Sequence, residues 1–105
     1  MAWIYLFVAG LFEIGWPIGL KLAQQPQMRV TGVLMAIVFM GISGFFLWLA
    51  QHSIPIGTAY AVWTGIGAAG TFFVGIAFFN DPGTLARYLG VMLILGGVIT
   101  LKVAH

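Results

Sequence analysis

Cysteine is absent from the 105 residues, which excludes disulfides, iron–sulfur clusters and thiolate zinc sites and leaves the redox compartment undetermined. Charge is nearly absent too. Asp, Glu, Lys and Arg make up 6% of the chain, against about 25% in soluble domains, so an ordinary water-facing surface is excluded. The isoelectric point near 9.4 reflects four Lys/Arg against two acids, not a basic patch. No run of cations exists that would neutralise several phosphates, which argues against nucleic acid as a partner. His52 and His105 stand far apart without neighbouring ligands, so neither a metal nor another cofactor is expected. A nucleophile with an adjacent base, a phosphate loop and metal-ligand spacing are all missing, and an enzyme is not expected. Met1-Ala2-Trp3 carries no basic flank, so the first apolar stretch reads as part of the mature chain and not as a signal peptide.

What the chain has instead is apolar length. Hydrophobic residues account for 62% of it, and the mean hydropathy is +1.10. Four apolar segments separate at about 3–22, 30–50, 56–79 and 84–103. The breaks fall at Gln24–Arg29, at Gln51–Pro55 and at Asn80-Asp81-Pro82-Gly83, the last a strong turn signal. Each segment is about 20 residues, enough to cross a bilayer as a helix. Open sheet is excluded there because its unpaired backbone groups would find no water. The expected fold is therefore an all-α membrane protein, a single domain of four short transmembrane helices lying in the lipid bilayer. By alternation of the spans, Lys21, Arg29 and Arg87 lie on one side and Lys102 on the other. That is a slight bias, compatible with insertion in both orientations. Four helices alone scarcely enclose a solvated path, so oligomerisation is expected.

Within this apolar chain Glu13 is the exception. It is one of two acids, the other being Asp81, and it falls near the midpoint of the first span, where an ionisable group marks a functional site by default. Gly10, Glu13, Trp16 and Pro17 share a helix face. The Trp16 indole N–H can donate to a carboxylate one turn away, and packing against lipid is the alternative. Pro17 deprives the carbonyl of Glu13 itself of its helical donor, which either opens space around the carboxyl or is a tolerated kink.

The other spans offer partners. In the second, Gly41, Ser43 and Gly44 form a small polar notch. Ser43 can donate to Glu13 or bond back to its own helix. In the third, Tyr60, Trp63, Thr64 and Gly67 share a stripe, with aromatic faces suited to a cation. Gly65 and Gly67 permit a bend or a close helix approach. In the fourth, Gly90 and Gly97 lie seven residues apart on one face, a seam for a dimer or for packing within the subunit.

Taken together, Gly10-Leu11-Phe12-Glu13 with Trp16 and Lys21, and Pro55–Gly67 with its Trp63-Thr64-Gly65-Ile66-Gly67 run, resemble the small multidrug resistance family of proton-coupled exporters, and specifically its guanidinium-exporter branch. The resemblance spans the whole chain. It implies an antiparallel, dual-topology homodimer in the bacterial inner membrane, a secondary active transporter exchanging protons for small guanidinium-type cations. In that picture Glu13 of both subunits binds proton or substrate, with Trp16 and Ser43 holding the carboxylate. Tyr60 and Trp63 wall the site, Gly65 and Gly67 sit where the third helix bends, and Gly90 and Gly97 form the dimer contact. Pro17 stands where the family pattern has Ala, and Phe45, Phe46, Phe72 and Phe73 add bulk near the portal. The alternatives are a promiscuous exporter of quaternary ammonium cations, an accessory membrane subunit, and a cation or proton channel.

Overall fold

The computed structural model describes residues 1–104; His105 lies outside the described residues. The chain forms four helices, α1 (Ala2–Leu22), α2 (Arg29–Ala50), α3 (Ile56–Phe78) and α4 (Leu85–Ala104), with a short 3-10 turn at Pro26–Met28. All four are long and apolar enough to cross a membrane. Their ends fall where the hydropathy breaks, because each polar run returns backbone groups to water. At the first break Pro26 opens the 3-10 turn that leads into α2. At the third, the N–H groups of Phe79 and Asp81 both donate to the Gly75 carbonyl, at 3.0 and 3.1 Å. Asn80 adopts the left-handed conformation at φ 59°, which Asn tolerates better than most residues.

α1 is the organising element, packed along α2 and against α3, while α4 leans principally on α3. The α1/α2 seam is close because of small residues. A Cβ added to Gly19 would lie 2.7 Å from the Gly32 carbonyl oxygen and 2.9 Å from the Ala36 nitrogen. Backbones approach this closely only where side chains are missing. One turn earlier Gly15 receives the Phe39 ring. At the opposite end Leu6, Ala50, Ile54, Ala59 and Val62 form a small core. The body measures 45 × 34 × 17 Å, thin in its last dimension. Only Val91 is buried on α4, and Cβ atoms added to Gly90, Gly96 or Gly97 would meet nothing within 4 Å.

A carboxyl site between α1 and α3

Glu13 projects from α1 onto α3, where Gly67 leaves room for it: a Cβ at Gly67 would collide with the Glu13 Cγ and sit 3.1 Å from its Cβ. The carboxyl side chain borders a cavity of about 270 Å³, lined by Glu13, Pro17, Thr64, Gly67, Ala68 and Thr71. Thr64, Gly67, Ala68 and Thr71 recur at helical spacing, so one face of α3 forms the wall. No Lys, Arg or His is among the lining. No basic side chain of the lining is thus placed to offset the charge of this carboxyl.

Glu13 Oε1 and Trp16 Nε1 are both buried, and neither has a hydrogen-bond partner of ordinary geometry among the described residues, although the indole lies within electrostatic reach of the carboxyl. A buried acceptor and a buried donor thus stand side by side at Glu13. Pro17 lies in an uninterrupted α1 and lines the cavity beside Glu13.

Ser43 does not reach Glu13. Its fully buried hydroxyl donates to the Ala9 carbonyl at 2.7 Å and accepts from Trp63 Nε1 at 2.8 Å. The expectation that Ser43 bonds the carboxylate is therefore replaced by a link of α3 through α2 to α1, one turn before Glu13. The physical reason is register: the α1/α2 crossing brings Ser43 to Ala9, whose carbonyl offers a fixed acceptor. Ser43→Ala would strand the Trp63 N–H. A loss of stability of about 1–2 kcal/mol is expected, read from thermal unfolding in detergent; an unchanged transition would remove this linking role.

Tyr60 and Trp63 lie side by side, ring centroids 5.4 Å apart, but neither lines the Glu13 cavity. Tyr60 is 57% exposed, and Thr64 spends its hydroxyl on the Tyr60 carbonyl, 2.7 Å away. α3 runs uninterrupted through Gly65 and Gly67. Gly65 faces α4, where an added Cβ would lie 2.6 Å from Val98 Cγ2. Of the four phenylalanines, Phe46 stacks on Phe12 at 6.3 Å, Phe45 neighbours Trp48, and Phe72 and Phe73 meet Tyr88 of α4; none lines the Glu13 cavity. Ala68 and Thr71 are wall residues that the sequence reading passed over. Their signal was the helical spacing from Thr64 and Gly67.

Four helices long and apolar enough to cross a membrane, with a carboxyl set between α1 and α3, define a multi-pass membrane protein. The family model described as Small Multidrug Resistance protein matches residues 1–94, and the chain belongs to that family. It is 50% identical over 104 residues, 99% of each chain, to a protein named guanidinium exporter from Yersinia pestis. It is 45% identical over 104 residues, 99% of each chain, to one of the same name from Proteus vulgaris. With the Citrobacter freundii guanidinium exporter the identity is 43% over 104 residues, 99% of this chain and 98% of that one.

Proposed function

We propose that the chain exports guanidinium and small guanidinyl cations from the bacterial cell in exchange for protons, as an antiparallel dual-topology homodimer in the inner membrane. The observation that carries this reading is the Glu13 carboxyl beside its cavity with no basic partner in the lining. The names of the full-length relatives supply the substrate class. Guanidinium is planar, permanently charged and rich in N–H donors that match a carboxylate two at a time. Two Glu13 side chains, one from each subunit, share the site and take up protons or substrate in turn. The open glycine face of α4 suits the subunit contact at Gly90 and Gly97. Exchange between inward- and outward-facing states when loaded with either ligand couples the proton gradient to outward cation movement.

Reconstitution in proteoliposomes tests this. Guanidinium, methylguanidinium and agmatine are expected to drive proton movement, and tetraalkylammonium or benzalkonium ions are not. Because protons and guanidinium compete for one pair of carboxylates, acidification leaves fewer sites for the cation. The apparent KM for guanidinium should therefore rise as pH falls. A KM independent of pH would overturn competition at Glu13, and transport of quaternary ammoniums alone would overturn the substrate class.

A further inference from the structure

The chain's two acids sit beside adjoining cavities. At the loop end of α1 and α3 a second cavity, of about 190 Å³, is bordered by Asp81 and Lys21, and it shares Pro17 and Thr71 with the cavity at Glu13. Asp81 is held there by local structure. The left-handed Asn80 turns the chain back, the Asp81 N–H bonds the Gly75 carbonyl at 3.1 Å, and the Asp81 carboxylate occupies the space that a Cβ on Gly75 would fill. Among the described residues Lys21 borders the same cavity without closing an ion pair on Asp81 within 4.0 Å.

By the alternation of the four helices, this end of the bundle also carries Arg29 and Arg87. A cation approaching it meets three positive side chains and one negative one. Exposed charges at a mouth act chiefly on the rate of encounter, and salt screens them. We propose that Asp81 is the outer docking carboxylate for the cationic substrate, handing it along Thr71 and Pro17 to Glu13, and that Lys21 is the tethered cation that competes for Asp81. The inference rests on the cation-transport reading above and adds a docking residue to it.

Initial rates of guanidinium-driven current on solid-supported membranes test it, at about 0.01 M and about 0.15 M ionic strength, where the screening lengths are about 30 and about 8 Å. Asp81→Asn is expected to raise the KM about fivefold at low salt, with the maximal rate retained and the difference shrinking at high salt. Asp81→Glu should keep a near-native KM, and Lys21→Gln should lower it. An Asp81→Asn protein with native KM at low salt would overturn the proposal. So would a Lys21→Gln protein whose KM rises, or an Asp81→Glu protein as impaired as Asp81→Asn, since a mere turn cap would behave that way. Wild-type protein that moves no guanidinium would overturn the transport reading and this inference with it. Wild-type transport with an unaffected Asp81→Asn overturns this inference alone.

Discussion

Glu13→Gln should reduce guanidinium-driven proton movement to the level of protein-free liposomes. The amide keeps nearly the volume of the carboxyl, so the fit against Gly67 survives. What it loses is the ability to take a proton in the working pH range and the negative charge that attracts the cation. Charge-assisted hydrogen bonds are worth about 1.5–3 kcal/mol, so guanidinium affinity alone should fall about 10- to 100-fold. Coupling should vanish altogether, because Glu13 is the one carboxyl this chain contributes to the cavity lining and the substitution removes it from both subunits of the proposed dimer. The fold should hold, since an uncompensated buried charge is removed and not created. Direct binding by calorimetry in detergent and proton flux in liposomes would separate the two effects. Retained flux in this variant would dismiss the mechanism.

The helices and Glu13 were legible in the sequence for the same reason: polarity inside a membrane is costly, so both the breaks at Gln24–Arg29 and Asn80–Gly83 and the lone carboxyl stand out against the apolar background. Which face meets which neighbour was far less legible. In a soluble helix the apolar stripe marks the core, but a membrane helix is apolar all round, and the stripe disappears. Ser43 was recognised as polar, yet its partner at Ala9 lies 34 residues away and depends on the α1/α2 crossing. That crossing rests on Gly19 and Gly32, which look like any other glycines in a chain that has 15. Gly41 and Gly44, which do cluster with Ser43 in the sequence, turn out to meet nothing within 4 Å. The grouping of Glu13, Pro17 and Gly67 combined local spacing on α1 with one contact across to α3. Asp81 read as part of a turn, and only the fold places it at a cavity that adjoins that of Glu13.

The hidden crossing leads to the second large effect: Gly32→Leu should open the bundle. A Cβ at position 32 would run into the Gly19 carbonyl oxygen and lie 2.6 Å from the Ala23 nitrogen and 2.8 Å from the Ala23 Cα. These are backbone atoms of α1 and its C-terminal cap, so no rotamer change relieves them. Overpacking a close seam costs about 1–3 kcal/mol, occasionally more, and a full leucine against backbone belongs at or above the upper end. Gly32, Ala36, Phe39 and Ser43 recur along one face of α2, and Phe39 and Ser43 hold Gly15 and Ala9 on α1. Glu13 lies between those two points of support. Prising α2 away at Gly32 should therefore loosen α1 where it presses Glu13 against Gly67, and transport should fall together with stability. Gly41→Ala is the matched control on the same helix, expected to shift stability by no more than about 0.5 kcal/mol, whereas Gly32→Ala should already cost about 1 kcal/mol or more. Unfolding in mixed micelles would rank the three. Gly32→Leu as stable as Gly41→Ala would mean that α1 and α2 do not cross at Gly19 and Gly32.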